Sequence, residues 1–188
     1  MKIAVIASAS GNGKTTLGRA LARRLEVPFV ELDALVHGPG WAEASAAELR
    51  ARLAPVLAGE GWVIDGGYRE KLGDTVLEQA ELVVWLDLPM RVWLPRLARR
   101  SIRRMTGREA LWNDNRETLR GVLGGRDALL PYAVRMHRQR RRRYPEELAR
   151  FPVVRLRSQA AVDRFLAGLD GAEARGRSLS PTARSGGR

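Results

Sequence analysis

Short, nearly continuous apolar runs alternate along the chain with longer segments in which apolar residues recur every three or four positions. The runs are KIAVIAS from Lys2, VPFVEL from Val27 to Leu32, GWVID ending at Asp65, ELVVWLDL ending at Leu88, and FPVVRL ending at Leu156. Strands buried on both faces read this way, without strict alternation. Between them Leu17, Ala20, Leu21 and Leu25 are spaced for one helix face, and Leu49, Leu53, Val56 and Leu57 for another. Ser45 and Glu48 form a capping box at the start of that second helix. Pro89 opens a helix running to about Arg104, with Pro95 loosening its first turns. A further helix is predicted over Asp127–Ala149, its buried part near Leu129, Leu130, Ala133, Val134 and Met136. Ser158 caps a last helix through Val162, Phe165 and Leu169. Strands alternating with helices predict an α/β fold with a parallel sheet covered on both faces.

Composition narrows this picture. A chain of 188 residues and 20.9 kDa fits one domain, placed at residues 1–171. Residues 172–188, rich in Gly, Ser and Arg, are predicted to form a disordered tail. With 45% hydrophobic residues and no apolar stretch near 18 in length, a membrane span is not expected. The N-terminus does not read as an export signal, and a cytoplasmic location is expected. The absence of cysteine excludes disulfides, zinc–cysteine sites and thiol nucleophiles.

The loop after the first strand carries the clearest chemistry. Gly13-Lys14-Thr15 completes G-x-x-x-x-G-K-[ST], with Ser8 where the motif has its first glycine. Backbone amides over Ser10, Gly11, Asn12, Gly13, Lys14, Thr15 and Thr16 would curl around the phosphates of ATP at a helix N-terminus. Lys14 would reach the β and γ phosphates, and the Thr15 hydroxyl would bind Mg²⁺. The competing reading is a Gly-rich strand-to-helix turn with a solvated lysine.

Charge is distributed unevenly. The net charge is +12, yet residues 1–90 carry 9 basic and 12 acidic side chains while residues 91–157 carry 19 and 6. Arg96, Arg99, Arg100 and Arg103 share one helix face, where like charges repel unless an anion lies against them. Arg135, Arg138 and Arg142 repeat that spacing, and Arg140–Arg143 is an unbroken run that cannot all point into one site. Arg135 and Arg138 are candidates for a second phosphate clamp, while Arg141–Arg143 read as a solvated end or a polyanion patch. His37 and His137 receive no role.

The segments ASASGNGKTT, LDAL, GPGW, WVIDGGYR and VVWLDLP, in this order, resemble the adenylate-kinase-like P-loop kinases over about residues 1–170. In detail they resemble the subgroup called DNA topology modulation proteins. The resemblance implies a three-layer P-loop NTPase fold with a five-stranded parallel sheet in the order 2-3-1-4-5 and a short Arg-rich lid at about residues 101–116. It makes Asp65 the carboxylate that holds Mg²⁺ with Thr15, and Arg96 and Arg100 the clamp on ATP. Adenylate kinases follow the aspartate with Gly-Phe-Pro-Arg; here Gly66-Gly67-Tyr68-Arg69 stands there, so Arg69 keeps the spacing of an acceptor-phosphate ligand. Asp33 either binds acceptor hydroxyls or caps the next turn, and Trp41 either stacks on a ring or closes the loop. Arg135 is placed on the acceptor side and Arg138 with the catalytic arginines.

The expected function is transfer of the γ-phosphoryl group of ATP, with Mg²⁺, to a small acceptor: a nucleoside monophosphate or a hydroxyl compound. The chain is expected to be a monomer or weak homodimer. The alternative is an ATP-binding, nucleic-acid-associated regulatory protein affecting DNA topology, although no helix-turn-helix, RNA-recognition or zinc pattern is present.

Overall fold

Strand β1 (Lys2–Ala7) takes the centre of a five-stranded parallel sheet because it is apolar on both faces. It pairs on one side with β3 (Trp62–Asp65) and on the other with β4 (Leu82–Leu86). β2 (Phe29–Glu31) and β5 (Val153–Leu156) complete the order 2-3-1-4-5, as expected. The register sets Val5 beside Asp65 and Glu31 beside Asp65. Both carboxylates therefore emerge at the strand ends where the phosphate loop begins. In this computed structural model the described residues are 1–106, 121, 122, 124 and 128–177.

Successive side chains of β1 supply two cores, as the two-residue period of a strand requires. Ala4 and Ile6 pack with Trp62, Ile64, Leu49 and Leu53 beneath α2 (Leu32–Val36), α3 (Ala46–Leu57), α4 (Arg69–Leu72) and α5 (Thr75–Gln79). Ile3 and Val5 pack with Leu17, Leu21, Val84 and Val162 beneath α1 (Lys14–Arg24) and the last helix. A third cluster of Ala9, Trp93, Leu97 and Ala133 joins α6 (Met90–Met105) to α7 (Leu129–Glu147). The last helix, α8, spans Gln159–Arg177.

The capping box forms with both bonds, Ser45 N to Glu48 Oε2 at 2.7 Å and Glu48 N to Ser45 Oγ at 3.2 Å. Ser158 Oγ accepts from Ala161 N at 3.1 Å. α6 is continuous through Pro95, but its first turn is loose: Trp93 N lies 3.4 Å from Pro89 O. Several boundaries differ from expectation. β2 is shorter, because helix α2 starts at Leu32 and carries Asp33 in its first turn. α7 runs from Leu129 to Glu147, inside the predicted limits. α8 continues to Arg177, so residues 172–177, assigned to the tail, are helical. Residues 107–116 of the expected lid and 178–188 of the expected tail lie outside the described residues. Among the described residues no helix is long and apolar enough to cross a membrane.

Candidate active site

The phosphate loop is shaped by two glycines in the left-handed region, Gly11 at φ 80° and Gly13 at φ 89°. Gly11 has a second reason to lack a side chain: a Cβ there would stand 2.7 Å from Trp93 O, so α6 could not pack as closely. Ser8 occupies the motif's first position because its hydroxyl is used. Buried completely, it donates to Asp87 Oδ1 at 2.8 Å and accepts from Trp85 Nε1 at 2.9 Å. Asn12, expected to offer its backbone amide to the phosphates, turns its side chain inward. Its Nδ2 donates to Ala9 O at 2.9 Å and its Oδ1 accepts from Leu88 N at 3.0 Å. Its side chain thus staples the loop to the end of β4.

Gly13 caps α1, and Lys14 and Thr15 open it. Lys14 Nζ pairs with Asp65 Oδ1 at 2.9 Å, while Thr15 Oγ1 donates to Asp65 Oδ2 at 2.6 Å. Thr15 Oγ1 also lies 3.1 Å from Glu31 Oε1. Burial disfavours the Lys14 charge, but the Asp65 and Asp33 carboxylates outweigh it and raise its pKa above the ordinary lysine value. One hydroxyl and two carboxylates converging beside a phosphate loop are the hard oxygen donors that Mg²⁺ takes alongside phosphate oxygens and water. The residues fit that ion. Glu31 was not foreseen; it stands two residues before Asp33 and is the only acidic residue of the short β2 strand.

A cleft of about 950 Å³ extends from this point. Its walls include the phosphate loop, Glu31, Asp33, three arginines of α6, and Gln159, Val162, Asp163 and Leu166 of α8. The arginines are Arg96, Arg100 and Arg104, so the two expected on this helix are brought to the cleft. Arg99 and Arg103 point to solvent. Arg104 replaces Arg103 because the buried stripe is Trp93, Leu97 and Ser101, and residues 96, 100 and 104 run along its edge. Arg96 also donates to Gln159 Oε1 at 3.1 Å.

The second pair of expected arginines is not brought there. Arg135 and Arg138 line a different groove, about 1120 Å³, floored by Leu94, Ala98, Leu130 and Val134. The Arg135 guanidinium lies over the Tyr132 ring, 5.4 Å from its centroid. The reason is the face that α7 buries. Ala133 and His137 define it, and the same face continues through Arg140, Arg141 and Tyr144. Arg140 Nη1 donates to Ala7 O at 3.3 Å, at the root of the phosphate loop. Arg141, expected at a solvated end or in a polyanion patch, pairs with Asp87 Oδ1 at 3.1 Å. Arg155 binds Asp87 Oδ2 through Nε at 3.1 Å and Nη2 at 2.6 Å, and lies 4.0 Å over the Trp85 ring. The fully buried Asp87 therefore ties β4, β5, α7 and the first residue of the phosphate loop together.

The Tyr68 hydroxyl donates to Asp33 Oδ1 at 2.5 Å and lies 3.3 Å from His37 Nε2. The His37 ring meets Tyr68 edge-on at 6.5 Å and Trp41 at 5.6 Å. Asp33 and Trp41 are thus joined through Tyr68 and His37. Arg69 is not part of this row. Its Nε donates to Asp74 at 2.5 Å and its Nη1 to Glu147 Oε2 at 2.6 Å, which spends the guanidinium on fastening α4 to α5 and α7. Those carboxylates raise its pKa further.

Comparison with known proteins gives the family. A family model described as Shikimate kinase matches residues 10–39, from the phosphate loop through Asp33 and His37. The shikimate kinase of Cereibacter sphaeroides is 30% identical over 149 residues, covering 70% of this chain and 71% of that protein. The chain belongs to the shikimate kinase family. It is therefore a P-loop kinase, a nucleotide-binding phosphotransferase. The family's enzyme from Symbiobacterium thermophilum is 38% identical over 97 residues, 44% of this chain and 56% of that one. Among solved structures, the shikimate kinase of Bacteroides thetaiotaomicron superposes with a TM-score of 0.54 at 18% identity, covering 93% of this chain and 98% of that one. A gluconokinase from Sinorhizobium meliloti gives 0.52 at 21%, with 96% and 97% covered. Deoxyadenosine kinase from M. mycoides gives 0.55 at 12%, with 91% and 100% covered. These likenesses establish the fold. The relatives are named as kinases, and the DNA topology modulation subgroup finds no support among them.

Proposed function

We propose that the protein moves the γ-phosphoryl group of ATP to a hydroxyl of a small acceptor, with Mg²⁺ held by Thr15, Asp65 and Glu31. The observation that carries this reading is the placement of Lys14 at the head of α1, 2.9 Å from Asp65 and electrostatically coupled to Asp33. That puts a cation between the carboxylate suited to the metal and a carboxylate suited to the acceptor. Gly11 to Thr16 would cradle the triphosphate with backbone amides, and Lys14 would leave Asp65 for the β and γ oxygens. Arg96, Arg100 and Arg104 would line the transferred group and the leaving diphosphate. Mg²⁺, when bound, neutralises charge on the β and γ phosphates. The acceptor oxygen bonds to Pγ as the bond from Pγ to the bridging oxygen breaks; ADP leaves, and the hydroxyl proton passes to Asp33 Oδ. Such chemistry rests on positioning and on donors aimed at developing charge, which the site provides.

The nucleic-acid alternative gains nothing from the structure. Part of the basic excess that suggested it is used within the fold: Arg100 and Arg104 line the cleft, while Arg140, Arg141 and Arg155 bind Ala7 O and Asp87.

The test is ADP formation from ATP and Mg²⁺ with shikimate, D-gluconate, D-glucose, D-ribose, deoxyadenosine and AMP as acceptors. At least one hydroxyl acceptor should stimulate turnover, and Lys14→Ala should lower it by about 10²–10³-fold, as loss of a charge-stabilising donor does. Equal rates with and without every acceptor, unaffected by Lys14→Ala, would rule out the reading.

A further inference from the structure

We infer that Ser8 and Asp87 are positioning residues of the nucleotide site: through them the end of β4 and helix α7 hold the phosphate loop in its binding shape before a nucleotide arrives. This rests on the phosphotransfer reading for its nucleotide alone, and not on the choice of acceptor.

The loop is fastened at both ends to one short stretch of chain, residues 86–88. At its start, Ser8 N donates to Leu86 O at 3.1 Å and Ser8 Oγ donates to Asp87 Oδ1 at 2.8 Å. At its far end, Asn12 Oδ1 accepts from Leu88 N at 3.0 Å. Ser8 and Asn12 are both buried, so water does not compete for these bonds. Ser8 is not among the residues at positive φ, so its place in the motif does not call for the freedom of glycine. Its hydroxyl supplies an anchor that glycine lacks, and its side chain narrows the range of the backbone.

The anchor is itself fixed from several sides. Trp85 Nε1 donates to Ser8 Oγ at 2.9 Å, which leaves the hydroxyl proton for Asp87. Arg155 grips Asp87 Oδ2 with two nitrogens, and Arg141 Nε lies 3.1 Å from Oδ1. Helix α7 meets this cluster at three places. Arg141 reaches Asp87, Arg140 donates to the carbonyl of Ala7 just before Ser8, and the Tyr144 ring meets Trp85 edge-on at 5.5 Å.

The cleft is lined by Ala9 to Thr16, but not by Ser8, Asp87, Arg141 or Arg155. A change at these four residues therefore reaches a nucleotide only through the shape of the loop. A buried carboxylate paired with guanidinium groups adds little to stability over apolar side chains of the same volume. What it adds here is a fixed place for Ser8. A loop already in its bound shape loses less conformational freedom when phosphates dock on its amides, so a tether that never touches the ligand raises affinity.

Calorimetric titration of the full chain with Mg²⁺ and ADP reads this without turnover or an acceptor. Ser8→Gly restores the residue of the motif and keeps every amide of the loop. It should weaken ADP binding about tenfold, the size expected when one residue's backbone must be ordered on binding. Arg141→Met cuts the α7 contact alone. The Arg141 side chain is 38% exposed, so this variant keeps the fold, and its Kd should rise about threefold. Leu53→Ala opens the core beneath α3, which packs on α2 and α4, and lowers the unfolding midpoint by another route. Its Kd should stay within twofold of the natural chain. Unchanged ADP affinity in Ser8→Gly or in Arg141→Met would overturn the inference. So would equal weakening in Leu53→Ala, which would make the effect one of general stability. No binding of ADP to the natural chain would overturn the nucleotide reading as well.

Discussion

Helices α6 and α7 have similar sequences in one respect: each repeats arginine at three- and four-residue intervals. They use those arginines in different ways. α6 buries Trp93, Leu97 and Ser101, and its arginines at 96, 100 and 104 run along the edge of that stripe toward the phosphate loop. α7 buries Ala133 and His137, and two of its arginines, Arg140 and Arg141, fall on the buried face itself. The α6 arginines therefore border a cleft that can take an anion, while the inward arginines of α7 meet partners the protein already supplies. Arginine periodicity states that a face is charged; the apolar stripe beside it decides what that face meets.

The widest gap between the two helices should appear in stability. Asp87→Ala removes the carboxylate shared by Arg141, Arg155 and Ser8 and leaves two guanidinium groups without their partner. Breaking a buried pair in this way costs about 3–5 kcal/mol. Both arginines are about a third exposed, which favours the lower end, near 3 kcal/mol. Denaturant midpoints read this directly. A loss under about 1 kcal/mol would mean that α7 is not anchored through Asp87, and the contrast would fail.

Activity should show the reverse order. Arg100→Ala should reduce kcat by about 10²-fold with little change in the unfolding midpoint, because it removes a donor from the cleft. Arg138→Ala, in the separate groove, should leave kcat within about twofold and stability within about 0.5 kcal/mol, as exposed substitutions do. Equal losses from both variants would return Arg138 to the active site and break the division between the two helices.

How much of this could be read from sequence follows from the same contrast. The sheet was legible because five apolar runs and a phosphate loop admit few arrangements, and the resemblance supplied the strand order. Lys14 and Thr15 were legible because a motif fixes their spacing, Asp65 through the family resemblance, and the structure brings the three together. Arg135 and Arg138 lie off the face that α7 buries: extending the stripe from Ala133 by four, seven, eight and eleven residues gives His137, Arg140, Arg141 and Tyr144. Arg69 kept a spacing but not its environment: Asp74 and Glu147, five and 78 positions away, claim it. His37 and Tyr68 carried no local signal. Their meaning lies in a contact across 31 residues, which periodicity does not contain.

The smallest effect tests the seam between the two helices. His137 is 3% exposed and packs its ring 5.2 Å from that of Trp93. Burial lowers its pKa below the ordinary value of 6.5, nearby Arg141 and Arg138 lower it further, and Asp87 opposes them. As pH falls, the unfolded chain therefore takes up this proton before the folded one does. Stability from neutral His137 is complete above about pH 6.5 and declines as pH drops toward the folded pKa. Asp74, whose carboxyl is lowered from 3.8 chiefly by the Arg69 hydrogen bond, loses its contribution only at still lower pH, so the two windows are separate. Unfolding midpoints between pH 7 and 5 should fall more steeply for the natural chain than for His137→Gln, which has no proton to take up there. Parallel slopes would show that protonation at the seam is not linked to folding, and that α7 is held by its arginine network alone.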